Sequence, residues 1–127
     1  MNRANLPVAL TLLLVAATIP HTLEDFHYGE FARFGVSTST AGAALVVVYA
    51  IQLAGMIFAA RGKRAGFWLL TLSGLLWCVG ASIVHGSELF GGGTYRNGIE
   101  SKALIVAIIV LGAAVAVVSV KRVAVEL

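Results

Sequence analysis

Polar and apolar positions along the chain fall into blocks rather than short alternations. Four apolar runs stand out, at residues 6–23, 41–60, 66–84 and 103–120. Each is close to the roughly 20 residues a helix needs to cross a bilayer core of about 30 Å. Lipid-facing strands alternate polar and apolar side chains, and these runs do not. The pattern predicts an all-α, four-helix transmembrane bundle forming a single integral membrane domain over residues 1–127. The first run follows Arg3 and has some features of a signal peptide. Its small residues Ala16, Ala17 and Thr18 lead straight into Pro20 and His21. It also belongs to a repeat described below, so it is read as the first transmembrane helix.

Composition agrees with the pattern: 59% of residues are hydrophobic and 12% charged, with a mean hydropathy of +0.93. The basic residues then orient the helices. Arg3, Arg61, Lys63, Arg64, Lys121 and Arg122 fall on one side, and Arg33, Arg96 and Lys102 on the other. Positive flanks stay in the cytoplasm. Both termini are therefore expected there, with the histidine-containing loops on the exterior or periplasmic side. The net charge of +3 sits on flanks that meet anionic lipid, so the lipid bilayer is the expected partner and nucleic acid is not. Cys78 lies within the third run and is expected to be a small packing residue.

All three histidines have a glutamate three residues on: His21 and Glu24, His27 and Glu30, His85 and Glu88, in a chain with five glutamates. Residues three apart on a helix share a face, so each pair can present imidazole and carboxylate together. Residues 15–26, VAATIPHTLEDF, also align with residues 79–90, VGASIVHGSELF. His21, Glu24 and Phe26 match His85, Glu88 and Phe90. Further on, Arg33-Phe34-Gly35 echoes Arg96-Asn97-Gly98. This predicts two parallel helix-hairpin repeats, about residues 5–62 and 64–122, related by a pseudo-two-fold axis along the membrane normal. His21, Glu24, His85 and Glu88 would converge near that axis. Small residues four apart (Ala50 and Ala54, Gly55 and Ala59, Gly74 and Cys78, Gly112 and Ala116) would allow close helix approach.

The run Pro20-His21-Thr22-Leu23-Glu24-Asp25-Phe26 resembles the signature of small four-helix membrane proteins named for an H-x-x-E-E motif, the HXXEE-type family. Asp25 stands in place of the second glutamate. His85-Gly86-Ser87-Glu88 and Tyr95-Arg96-Asn97-Gly98 are also similar to that family, where the tetrad is usually Tyr-x-Pro-Gly. The resemblance spans most of the chain. It implies the four-helix topology and points to His21, Glu24, Asp25 and His85. It implies no reaction, because the family's function is unassigned.

Imidazole with carboxylate suits a transition metal such as zinc, iron, manganese or copper. His21 and His85 would be the nitrogen ligands, Glu24 and Glu88 the oxygen ligands, and Asp25 a bridging or supporting acid. Such a site can activate water or act on an apolar or lipid substrate. Haem held axially by His21 and His85 is an alternative, as is cofactor-free acid–base or proton-relay chemistry. A non-enzymatic accessory or transport subunit of a membrane complex, handling protons, metal or haem, is the competing class. A homodimer or larger complex would fit a bundle this small. The plain alternative is a set of interfacial residues bonded to one another, which suits the loop pair His27 and Glu30 best. Pro20 is expected to loosen the helix before His21. Phe26, Tyr28, Phe31, Phe34, Phe90 and Tyr95 form an interfacial aromatic belt or a pocket rim. Arg33 and Arg96 are expected to be ordinary surface pairs, with binding an anionic headgroup or neutralising the acidic cluster as the alternatives. Gly91-Gly92-Gly93 lacks the lysine and spacing of a phosphate loop.

Overall fold

A computed structural model of the chain describes residues 5–92 and 95–125; Arg3 and Gly93 lie outside the described residues. Five helices follow one another: α1 (Asn5–His27), α2 (Glu30–Arg33), α3 (Thr38–Ala60), α4 (Arg64–Phe90) and α5 (Ile99–Val125). No strand occurs among the described residues. The four long helices are long and apolar enough to cross a membrane. Large apolar side chains such as Leu12, Val46, Leu72 and Ile83 are exposed on their outer faces. In water that surface would be an aggregation hazard, whereas in a bilayer it is solvated by lipid.

The helices outlast the apolar runs that predict them. α1 continues to His27 and α4 to Phe90, so the histidines and acids of both segments sit on regular helical turns. Pro20 lies inside α1 without ending it. Pro7 lies in the first turn, where a missing N–H has no intrahelical partner to lose. Ser37 caps α3 by accepting the Thr40 N–H at 3.2 Å. Gly62, in the left-handed region at φ 68, lets the chain reverse between α3 and α4.

The core lies among α1, α4 and α5, where Leu14, Phe67, Leu70, Ile105, Ile108 and Val115 are essentially fully buried. α4 and α5 touch backbone to backbone. A Cβ at Gly74 would sit 2.5 Å from the Gly112 carbonyl oxygen, and one at Gly112 would sit 2.8 Å from that of Gly74. The contact uses the predicted small-residue faces, with Cys78 and Ala116 beside it. α3 is different: its buried residues are Ala41, Gln52, Gly55 and Ala59. It meets α4 tightly only toward the Arg61–Lys63 turn. There a Cβ on Gly55 would press on Leu70 at 2.9 Å, and one on Gly66 would collide with the Ala59 backbone. Ala50, from the other predicted α3 pair, is exposed. Toward the opposite end of the bundle, the histidine end, a cavity is lined by both α3 and α4.

Candidate metal centre and its cavity

His21 comes from α1 and His85 from α4, and each is 2% exposed. Their Nε2 atoms face one another at 3.0 Å, with the rings edge to face. Asp25, one turn after His21, places Oδ2 3.6 Å from His21 Nε2 and Oδ1 3.8 Å from His85 Nε2. The ligand atoms of His21, Asp25 and His85 all lie within 4.8 Å of one another. Across the 3.0 Å gap the two imidazoles can share one proton or one cation. Two facing imidazolium protons would repel by about 5–6 kcal/mol at an effective dielectric of 20.

The structure distributes the predicted residues differently from their i, i+3 spacing. His21 is served by Asp25 at i+4. Glu24 turns away and accepts hydrogen bonds from Asn97 Nδ2 at 3.0 Å and Ser101 Oγ at 3.1 Å. Glu88 accepts from Arg33 Nη1 at 3.1 Å and from Ser87 Oγ at 2.9 Å. His27 is exposed, while Glu30 is 4% exposed and accepts from Arg33 Nη1 at 2.7 Å. A helix turn of 3.6 residues explains this: i+3 and i+4 lie about 60° and 40° to either side of residue i. The rotation of α1 against its neighbours selects one of them, and here it selects Asp25.

Arg96 takes the role the sequence offers only as an alternative, neutralising the acidic cluster. Its side chain is 4% exposed and forms ion pairs with Asp25 Oδ1 at 2.7 Å and Glu30 Oε2 at 2.9 Å. Glu24 Oε2 is 3.9 Å away. The guanidinium also lies over the rings of Tyr95 and Tyr28, 4.7 and 5.5 Å from their centroids. The backbone of Arg96 is left-handed, at φ 42. That conformation costs an L-residue about 1–2 kcal/mol, and here the ion pairs hold it. Burial opposes the Arg96 charge, but Asp25 and Glu30 outweigh it and raise its pKa. Arg33 is 58% exposed, and its pKa is raised by Glu88 and Glu30. Tyr95 lies with its hydroxyl 3.1 Å from His85 Nδ1. Burial pushes its pKa well up, against the pull of Arg96, so it remains a phenol.

The cluster therefore contains four carboxylates, Glu24, Asp25, Glu30 and Glu88, and two guanidiniums. With neutral histidines its net charge is −2. That deficit, two facing imidazole nitrogens and a carboxylate make a donor set suited to one divalent cation. Nitrogens 3.0 Å apart can both lie about 2.0–2.1 Å from a common point, the usual metal–imidazole distance. Tyr95 bonds the outer nitrogen of His85, as ligating imidazoles require to keep their orientation. His21 Nδ1 has no hydrogen-bond partner among the described residues. Haem does not fit: axial histidines on opposite faces of an iron need nitrogens about 4 Å apart, twice a metal–imidazole bond, and these are closer.

The histidine pair lies at the polar end of a cavity of about 220 Å³. Its floor is His21, Thr22, Asp25 and His85, and its walls include Leu45 and Val48 from α3 and Trp77 and Val84 from α4. Beneath it, Tyr49 donates to Thr18 Oγ1 at 3.0 Å, and Trp77 Nε1 donates to Gln52 Oε1 at 3.3 Å. These side chains brace α3 away from α1 and α4 while satisfying buried polar groups. Compared with family models, curated proteins and solved structures, the chain matches none.

Proposed function

We propose that this chain is an integral membrane protein that binds one divalent transition metal at His21, Asp25 and His85. The metal would face the apolar cavity from the exterior side of the membrane, with both termini cytoplasmic. The observation that carries this is the pair of Nε2 atoms 3.0 Å apart beside Asp25, within a buried cluster short of two positive charges. A metal bound there supplies a Lewis acid, or a water of lowered pKa, to an apolar or lipid substrate. Around it, Arg96 fixes Asp25, and Tyr95 fixes the ring of His85. Glu24 and Glu88 hold the loops that close the end of the bundle.

The duplicated sequence offers an origin for the site. Arg33, from the first proposed repeat, bonds Glu88 of the second. Arg96, from the second, pairs with Asp25 and lies near Glu24 of the first. Reciprocal exchange of this kind is what a pseudo-two-fold axis through the histidine pair would produce.

Purification in mild detergent without a histidine tag, followed by metal analysis, tests the proposal. About one equivalent of a divalent transition metal per chain is expected, lost in the His21→Ala, His85→Ala double variant and reduced in Asp25→Asn. Glu24→Gln should retain it, although the sequence spacing alone assigns Glu24 as a ligand. Absence of metal after incubation with zinc, manganese, iron(II) and copper would refute it. The histidine pair would then be read as a proton-sharing acid–base site, which the same 3.0 Å contact favours.

A further inference from the structure

The cavity is closed by α1 and opens on the α3–α4 flank. Leu76 and Phe34 line it and are 53% and 56% exposed, so its rim meets whatever surrounds the bundle. Gly80 also lines it, and a Cβ there would meet nothing within 4 Å. A methyl group there is unhindered, and the polar lining of the cavity is His21, Thr22, Asp25, Glu30 and His85, the rest being apolar or aromatic side chains and glycine. Complete small-molecule sites occupy roughly 300–1,000 Å³. A cavity of about 220 Å³ matches one end of a longer molecule whose remainder stays in lipid.

We propose that the cleft between α3 and α4 at the histidine end admits, laterally from the bilayer, the head of a single-chain lipid bearing an uncharged oxygen group. An alcohol or carbonyl oxygen would rest against His21, Asp25 and His85, with the chain leaving past Leu76 and Val84. The electrostatics select the head. The cluster has four carboxylates against two arginines already paired with them. An anionic head would add a buried, uncompensated negative charge, which is costly; with one divalent cation bound, a neutral head leaves the site balanced. The role of the metal in holding that head rests on the preceding proposal, while the cavity and its opening do not.

The test uses Trp77, which lines the cavity. The chain has two tryptophans, so Trp68→Phe leaves Trp77 as sole fluorophore. The variant is reconstituted in phosphatidylcholine vesicles and titrated with a dibrominated long-chain alcohol, then separately with the sulfate ester of the same chain. Bromine quenches by contact. Saturable quenching by the alcohol and only linear quenching by the sulfate ester are expected. Gly80→Leu, which fills the cavity from a position with free space, should remove at least half of the saturable part, and Val48→Phe from the opposite wall should do the same. Equal behaviour of alcohol and sulfate ester, or saturable quenching unchanged in both filled variants, would overturn the inference. Metal content measured on the same samples separates the two proposals. Filled variants should keep their metal, and saturable quenching in protein that binds no metal would leave the lipid site standing while the metal site falls.

Discussion

The α4–α5 pair and the α1–α3 pair solve the same packing problem in opposite ways. α4 and α5 bring Gly74 and Gly112 together until each carbonyl oxygen lies within 2.8 Å of where the other residue's Cβ would be. α1 and α3 stand apart, joined at side-chain length by Tyr49 reaching Thr18. Among apolar helices in lipid, association depends on close packing and polar bonds rather than on hydrophobic burial. The glycine-faced pair is therefore rigid scaffold. The strut-joined pair leaves a gap, and the candidate site lies at the polar end of that gap.

The two arginines give the same contrast at the level of single residues, and they carry the largest predicted effect. Arg96→Ala would leave Asp25 buried without its cation and Glu30 with Arg33 alone. Removing one partner of a buried pair typically costs about 3–5 kcal/mol. Arg33 bonds Glu30 and Glu88 from an exposed position. Solvent and salt screen exposed pairs, so Arg33→Ala should be mild. Denaturant titration of both variants in the same detergent measures the difference. Equal losses would show that the two arginines share the load and that the site is more symmetric than its burial indicates.

The scaffold can be attacked next. Gly74→Ala forces a methyl group against the Gly112 carbonyl and the Ala116 backbone, and overpacking of this kind costs about 1–3 kcal/mol. Gly80→Ala, two turns along the same helix, meets open space and should be neutral or slightly stabilising, since alanine is favoured over glycine in a helix by roughly 1 kcal/mol. Thermal unfolding should rank Gly74→Ala well below wild type and Gly80→Ala at or above it. The reverse order would mean that α4 and α5 do not meet through Gly74.

Which parts of this were legible in the sequence follows from how far each signal reaches. Helix number and approximate position depend on local runs of apolar residues, and the small-residue faces on glycines set in such runs, so both could be read. The four helices, the shared end of His21 and His85, and the small-residue faces of α4 and α5 are of this kind. That Gly74 meets Gly112 depends on how α4 and α5 pair and could not be read. The choice of Asp25 over Glu24 depends on the rotation of α1 about its own axis, which nearby sequence does not determine. The sequence favours surface pairing for Arg96 and an interfacial pair with His27 for Glu30, because each sits in a polar loop. The available signal is charge: acids at a membrane edge need compensation, and Arg96 aligns with Arg33 in the proposed repeat. Pro20 lies inside α1, which continues past it to His27.

The smallest predicted effect concerns Tyr95, whose side chain contacts both His85 and Arg96. Its pKa is raised in the folded protein above its ordinary value of 10.0, chiefly by burial. A group whose folded pKa is raised contributes stability below its unfolded pKa and loses it as pH climbs toward the folded value. Between pH 10 and 12 the unfolded chain would release the Tyr95 proton while the folded chain kept it, so stability should fall across that window. Tyr95→Phe has no proton to lose there and should show a shallower alkaline decline, though it starts lower by about 0.5–1.5 kcal/mol for the lost hydrogen bond. Melting temperatures of the two proteins from pH 8 to 12 would converge if this is right. Parallel curves would place Tyr95 in contact with water and remove it as the group that holds the ring of His85.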